Sequence, residues 1–315
     1  MRSCVPLLGR PKAGQSGEPK PRIGEHPSPT REGGAGDFSR AAASYDEAAV
    51  LAREVGRRMA GRLDFVKLSP RRIADIGCAT GDGIRELQRR YPSALPLAVD
   101  FAEPMLEATR ARTSLLQRLR GRAPRLVNAD VRSLPLASGC LDLAWSNLML
   151  HWLDDPRPAL AEMHRVLAPG GLLTFAMLGP DTLKELREAA AKVSARDTAR
   201  RFPDMHDIGD LLVAAGFADP VMDMEMITLT YASPRGLLRD QRHLGVRDGL
   251  LGYLPWRDWR RVFATWERAD GRLPARFEII YGHAWKAEPA AGRDGRHIVE
   301  WSSSIAGRRC SRRPP

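Results

Sequence analysis

Between a short apolar run, Arg72-Ile-Ala-Asp-Ile-Gly77, and an amphipathic run, Gly83-Ile-Arg-Glu-Leu-Gln-Arg-Arg90, lies the loop Asp75-Ile-Gly77-Cys-Ala-Thr-Gly81-Asp-Gly83. A buried strand that stops at a glycine, followed by a helix that starts at one, commits this part of the chain to an α/β architecture. Glycines lack a Cβ, so such a loop lets backbone approach a ligand at a helix N-terminus.

The alternation continues. Strands are expected at Leu95–Val99, ending at Asp100, and at Arg125–Asn128, Leu141–Ser146 and Leu172–Met177. Between them come a helix opened by Pro104 at its first position and a helix from Asp155 to Leu167 stopped by Pro169-Gly170-Gly171. Five β/α repeats with buried strands predict a parallel sheet covered by helices on both faces. Upstream, Ser44 and Glu47 have the spacing of a capping box at the head of a helix to about Leu63. Downstream, Leu178–Thr182 opens an insertion and a helix through about Lys192. A helix Met205–Ala215 then ends on Gly216, a strand runs Asp219–Leu229, and helices near Pro234–Leu244 and Pro255–Arg268 precede a last strand, Ala275–Ala284.

The net charge of +11 on 315 residues looks at first like a nucleic-acid footprint. Residues 1–36 carry six basic and three acidic side chains, and residues 288–315 the same, so only +5 belongs to residues 37–287. Both end segments are rich in Pro, Gly, Ser and Arg without apolar periodicity, and are expected to be disordered. The chain thus divides into a tail, 1–36, one domain, 37–287, and a second tail, 288–315. The mild excess on the domain suits an acidic partner without requiring DNA or RNA. Cys4, Cys78, Cys140 and Cys310 are scattered without metal-ligand spacing, so neither zinc nor disulfides are expected and a reducing cytoplasm fits. No apolar run is long enough to span a bilayer. Val5-Pro6-Leu7-Leu8 is too short for a signal-peptide core, and Glu18, Glu25 and Glu32 argue against an organelle address.

The loop's chemistry is narrowed by elimination. A dinucleotide fingerprint needs glycine at its first, third and sixth places, but counting from Gly77 puts Ala79 and Asp82 at the latter two. No Gly-Lys-Ser/Thr follows, so it is not a Walker loop. Instead Asp75 precedes Gly77 by two residues, and Asp100 and Asp130 end the next two strands. This trio resembles class I S-adenosylmethionine-dependent methyltransferases, whose first motif is an acid followed by Gly-x-Gly-x-Gly; Ala79 departs from it at the middle glycine. The resemblance implies a Rossmann-like α/β fold with a mostly parallel seven-stranded sheet, an antiparallel last strand and helices on both faces. It also implies S-adenosylmethionine as cofactor, contacted by Asp75, Gly77, Ala79, Gly81, Asp100, Phe101, Asp130, Val131 and Asn147. Asp100 can accept from both ribose hydroxyls and Asp130 from the adenine amino group. Asp75 or its neighbours can meet the methionine ammonium.

The acceptor is suggested by longer strings: Ser146-Asn147-Leu148-Met149-Leu150-His151-Trp152, Leu178-Gly-Pro-Asp-Thr-Leu-Lys-Glu-Leu-Arg187, Met205-His206-Asp207, Pro220-Val-Met-Asp-Met-Glu225 and Tyr281-Gly-His-Ala-Trp-Lys286. These resemble the malonyl-acyl-carrier-protein O-methyltransferases of biotin synthesis, from roughly Asp37 to Ala287. The resemblance implies methyl transfer to the free carboxylate of a malonyl thioester on acyl carrier protein, with no nucleic acid or membrane as partner. Such a carboxylate is already ionised at pH 7 and needs no general base. Neutral donors are therefore attractive partners, and Tyr45, His151, Trp152, Tyr281 and His283 are the candidates. Tyr45 falls in the N-terminal helix that could cover the cofactor, Asp181 and Thr182 could cap their helix, and Arg235, Arg239 and Arg242 recur at helical spacing as a rim for an acidic carrier. Two alternatives stay open: a respiratory-complex assembly factor that modifies a protein arginine, and a non-catalytic scaffold.

Overall fold

A computed structural model of the chain describes residues 38–193, 200–246, 250 and 254–288. The tails expected at 1–36 and 288–315 lie outside these residues, apart from Glu288.

Seven strands form one sheet in the order β3-β2-β1-β4-β5-β7-β6. They are β1 Arg72–Ile76, β2 Leu95–Asp100, β3 Arg125–Asn128, β4 Leu141–Asn147, β5 Leu167–Leu178, β6 Phe217–Tyr231 and β7 Leu273–Lys286. The first five run parallel, and β7 is antiparallel to both β5 and β6, as the resemblance implied. The helices are α1 Tyr45–Ala48, α2 Val50–Arg62, α3 Asp82–Arg90, α4 Glu103–Ala111, α5 Leu115–Leu119, α6 Arg157–Val166, α7 Lys184–Val193, α8 Met205–Ala214, α9 Pro234–His243 and α10 Trp256–Thr265.

Strand side chains alternate between two cores, as period-2 geometry demands. On β5, Leu172, Ala176 and Leu178 join one core with Ile73, Phe277 and Ile279, packed under α2, α7 and α10. Leu173, Phe175 and Met177 join the other with Ala74, Ile76 and Ile280, under α6 and α8. No helix of the described residues is long and apolar enough to cross a membrane.

Several local expectations are corrected. Ser44 caps nothing: its φ and ψ are already helical, its hydroxyl donates back to the Ala41 carbonyl, and the helix breaks at Ala49 into α1 and α2. The capping box is at α5, where Ser114 accepts from the Gln117 amide and Gln117 accepts in turn from the Ser114 amide. Pro104 is the second residue of α4, behind Glu103. Pro169-Gly170-Gly171 does not separate helix from strand, because β5 already begins at Leu167 and the pairing with β4 shifts register between Leu141 and Leu143. Thr182 does not cap α7; its hydroxyl donates to the Glu278 carbonyl, and the Asp181 amide donates to the Glu278 carboxylate at 2.6 Å. Part of the aromatic cluster before β7 packs into the fold. Trp259 stacks on Phe263 at 5.2 Å, and Trp259, Val262 and Trp266 are buried in the core that α7 shares.

Candidate active site

The strand order reverses between β1 and β4, and ligands of open α/β sheets settle beyond the carboxyl ends of strands at such a switch. A cavity of about 350 Å³ opens there. Its lining includes Gly77 and Ala79 from the glycine loop, Asp100 at the end of β2 and Phe101 after it, Asp130 and Val131 after β3, and Asn147 at the end of β4 with His151 and Trp152 beyond it. Tyr45 of α1 also lines it. Asp75, Gly81, Tyr281 and His283 do not.

The glycine loop is shaped by what cannot fit. Gly77 has φ +79°, and a Cβ there would lie 2.5 Å from the Met149 Cγ. Gly81, at φ +85°, would meet Thr109 at 2.8 Å. Ala79 adopts φ 44°, so the position that lacks the family's glycine holds a left-handed backbone that costs an L-residue energy.

Asp75 is turned away from the cavity. Its carboxyl is 2% exposed and lies under the start of α3, where the Ile84 amide donates to it and where a Cβ on Gly83 would come within 2.5 Å. Burial, opposed by that amide bond and reinforced by Asp100 and Asp82, pushes its pKa up to about 8. Gly81 at the N-cap of α3 has no side chain to satisfy the first amides of the helix, and Asp75 serves one of them from below.

Asp100 does face the cavity. One oxygen accepts from the Ala79 amide and the other from the Ala102 amide, both at 2.9 Å. Burial pushes its pKa up to about 6, against the pull of those amides. The Phe101 amide bonds it as well, and since a carboxylate has about four acceptor positions, some acceptor capacity remains for a ligand. Asn128 fixes the neighbouring backbone by donating to the Asp100 and Phe101 carbonyls at 3.1 and 3.0 Å. Asp130 is held differently, by a bidentate pair with Arg132 at 2.6 to 3.1 Å and by the Arg132 amide.

α1 lies over the loop and is tied to it. The Asp46 carboxylate accepts from the Thr80 hydroxyl at 2.7 Å and from both terminal nitrogens of Arg112 at 3.0 Å. Its neighbour Tyr45 has its pKa raised by burial and by Asp100, so the phenol stays a neutral donor. Phe38 closes the rim, edge-on to Phe101 at 5.9 Å and to Trp152 at 6.1 Å.

His151 is 4% exposed, and the Leu178 amide donates to its Nδ1 at 3.4 Å, which leaves the proton on Nε2. Burial, aided by the Arg200 charge, pulls its pKa down to about 3. Arg200 donates to the His151 carbonyl at 3.0 Å and pairs with Asp154 at 3.2 Å. The ring is thus a neutral donor at every physiological pH.

Tyr281 and His283 are corrected by the direction of β7. Because β7 runs antiparallel, residues beyond Ile279 pair progressively further from the carboxyl end of β5: Tyr281 with Ala176 and His283 with Thr174. Tyr281 is instead covered by the Arg62 guanidinium at 3.6 Å from its ring centroid. Phe277 is the β7 residue that reaches the cavity. Sequence reasoning also missed Phe38, Arg132 and Arg200. Arg132 carries a signal, standing two residues after Asp130; Phe38 and Arg200 carry none.

A family profile described as a methyltransferase domain matches residues 74–175. The chain is 49% identical over 278 residues to the malonyl-[acyl-carrier protein] O-methyltransferase of Gallionella capsiferriformans, covering 85% of this chain and 95% of that one. It is 49% identical to the protein of the same name from Laribacter hongkongensis, covering 84% and 93%. Among solved structures, the YcgJ protein of Bacillus subtilis superposes with a TM-score of 0.53 over 74% of this chain and 100% of that one, at 15% identity, a likeness of fold alone.

Proposed function

This chain belongs to the malonyl-[acyl-carrier protein] O-methyltransferase family, and on that premise we propose how its residues carry the reaction. It is an S-adenosylmethionine-dependent methyltransferase that esterifies the free carboxylate of a malonyl thioester on acyl carrier protein. The observation that carries the residue assignment is a cavity with carboxylates at one end and, at the other, an apolar wall whose polar side chains are neutral.

The cofactor fits the carboxylate end. Gly77 lines it, Asp100 keeps acceptor capacity beyond its three backbone amides, and Asn147 has a buried Oδ1 without a hydrogen-bond partner among the described residues while its Nδ2 donates to the Ala52 carbonyl at 2.8 Å. In this reading Asp100 takes the ribose hydroxyls, Asp130 the adenine amino group, Val131 and Phe101 the adenine faces, and Asn147 Oδ1 the methionine ammonium. Gly81 and Asp75 support the loop and the head of α3 without reaching the cavity. When bound, S-adenosylmethionine supplies an electrophilic methyl on a sulfonium sulfur.

The remaining work is alignment. The malonyl carboxylate is ionised at neutral pH, so no side chain has to remove a proton. Tyr45 and His151 hold it as neutral donors, which orient the attacking oxygen without drawing off its electron density as an arginine would. Trp152, packed at 4.8 Å from His151, excludes water beside them. Esterification removes a charge that is costly to bury in the apolar channels of fatty-acid enzymes, which suits an early step of biotin synthesis in the cytoplasm. The carrier protein docks on the exposed face of α9, where Arg235, Arg239 and Arg242 offer positive charge to an acidic surface. Residues 37–287 act as the catalytic unit, with 1–36 and 288–315 as appendages.

The reading is tested in cells. Expressed in a biotin-requiring bacterium that lacks its own malonyl-carrier methyltransferase, the chain is expected to restore growth without biotin, and the D100A form to fail. Growth restored equally by both would contradict the assignment.

A further inference from the structure

On the face of the sheet covered by α2, beside the site already described, lies a second cavity of about 710 Å³. α2 and α3 wall it, α5 and the residues after it close one side, and Trp145 of β4 lines it from the sheet. Small residues keep it open: Ala52 and Gly56 stand one turn apart on α2, and a Cβ on Gly56 would lie 3.2 Å from the Asn147 Nδ2. Ala52 and Asn147 line both cavities, so the two adjoin at the methionine end proposed for the cofactor.

The second cavity is cationic. Arg53 and Arg57 line it from α2, Arg85 and Arg89 from α3, and Arg120 and Arg122 from beyond α5, with Asp82 and Glu86 as its acids. Arg57, Arg85 and Arg89 pair with Glu54, Asp82 and Glu86, and Arg53 donates to the Asp46 carbonyl. Arg120 and Arg122 have no carboxylate partner among the described residues. Trp145 is fully buried, and its Nε1 has no hydrogen-bond partner among those residues. Gln88 donates to the Arg122 carbonyl at 2.6 Å, while its buried Oε1 lacks a partner. Polar atoms left unmet in this way are costly, and these two ask for opposite things, the indole N–H for an acceptor and the amide oxygen for a donor.

These demands describe one ligand class. Guanidiniums pair well with phosphate oxygens, which they grip two at a time. A nucleoside adds ring nitrogens or carbonyls that accept, and amino or hydroxyl groups that donate. The volume is that of a small-molecule site, while two turns of a partner's helix, about 10 Å across and about 11 Å long, would overfill it. We propose that this cavity binds a nucleoside polyphosphate, and that the bound anion favours the cofactor next to it. S-adenosylmethionine carries a net positive charge, from a sulfonium and an ammonium against one carboxylate. Arginines left bare disfavour that charge, and phosphates that neutralise them remove the repulsion. The inference involves no acceptor, so it stands apart from the methyl transfer proposed above.

The test titrates the full chain, saturated with S-adenosylhomocysteine so that no nucleotide enters the cofactor cavity, with GTP or inorganic tripolyphosphate by calorimetry. Expected is one GTP per chain, bound about tenfold more tightly than tripolyphosphate because its nucleoside meets the two unpaired groups. R120E/R122E should weaken GTP binding by about tenfold or more at an unchanged melting temperature. R260E/R261E, at exposed positions of α10, should leave it as it is. GTP at saturation should tighten S-adenosylmethionine on the order of threefold at low salt and leave S-adenosylhomocysteine, which has no net charge, unchanged. No binding of either anion would overturn the site, and tripolyphosphate bound as tightly as GTP would overturn its preference for a nucleoside. Equal losses in the two arginine pairs would mark diffuse attraction and overturn the site as well. An S-adenosylmethionine affinity indifferent to GTP would overturn the coupling.

Discussion

The Ala79 amide donates to the Asp100 carboxylate at 2.9 Å, so the one loop residue that departs from the family's glycine pattern also helps to fix the acid proposed to take the ribose. The bond needs the left-handed turn at Ala79, φ 44°.

That turn strains an alanine. A79G should relieve it, raising unfolding free energy by up to about 1 kcal/mol, the cost of a side chain in the left-handed region less the extra unfolded freedom of glycine. Urea midpoints check this. A destabilised A79G would show that the methyl contributes packing that outweighs the strain.

Asp100 has its pKa pushed up to about 6, and its charged form is the one suited to two hydroxyl donors. Affinity for S-adenosylmethionine should be flat above pH 7 and weaken as pH falls through about 6. In the ligand-free protein the sign is opposite: a raised acid favours the folded state at low pH, and that contribution is lost as pH rises through about 6. D100N should bind roughly tenfold to a hundredfold more weakly, without the acid-side decline. Calorimetry from pH 5 to 8 separates these cases.

His151 behaves as a depressed base. With a folded pKa of about 3 and an ordinary value of 6.5, it stays neutral in the fold while the unfolded chain takes up a proton. Its contribution is complete above pH 6.5 and is lost as pH falls toward 3, at up to about 1.4 kcal/mol per pH unit. H151N lacks this titration. The stability gap between the two proteins should therefore change by about 2 kcal/mol between pH 7 and pH 5, an internal comparison in which the opposing shifts of Asp75 and Asp100 cancel.

Asp46 ties α1 to Thr80 and Arg112 across a half-exposed contact. D46A should change global stability by less than about 1 kcal/mol, because pairs in reach of solvent are worth little. It should nevertheless weaken cofactor binding several-fold by loosening the helix that carries Tyr45. Equal affinity for D46A and the unsubstituted protein would show that the tie does not govern the site.

The exposed arginines of α9 should act only through the carrier. R235E/R239E/R242E should raise KM for malonyl-acyl carrier protein by about tenfold and reduce its salt dependence. KM for malonyl-pantetheine, which lacks the acidic protein, should hold. An equal rise for both would place these residues in the fold of α9 and not in docking.

Much of this architecture is legible in the sequence because strand ends and glycines are local signals. Asp100 and Asp130 could be placed by counting, since each closes a short apolar run that has to be a strand. His151 and Trp152 follow β4 closely enough to inherit its position. What depends on direction or on three-dimensional aim was not legible. Tyr281 and His283 belong to the expected motif, but antiparallel pairing carries them away from the cavity. Asp75 ends the right strand yet turns under α3, because a buried helix start without a capping side chain draws its carboxyl there. Trp145 sits in a strand whose apolar pattern is plain, while nothing in the sequence tells the surroundings of its indole N–H from those of any other core tryptophan.

The most direct measurement is the mass of the acceptor. The purified protein, incubated with S-adenosylmethionine and malonyl-acyl carrier protein, should add one methyl to the malonyl species and none to acetyl-acyl carrier protein, with one equivalent of S-adenosylhomocysteine formed. An unchanged malonyl species, under conditions where calorimetry shows the cofactor bound, would contradict the account.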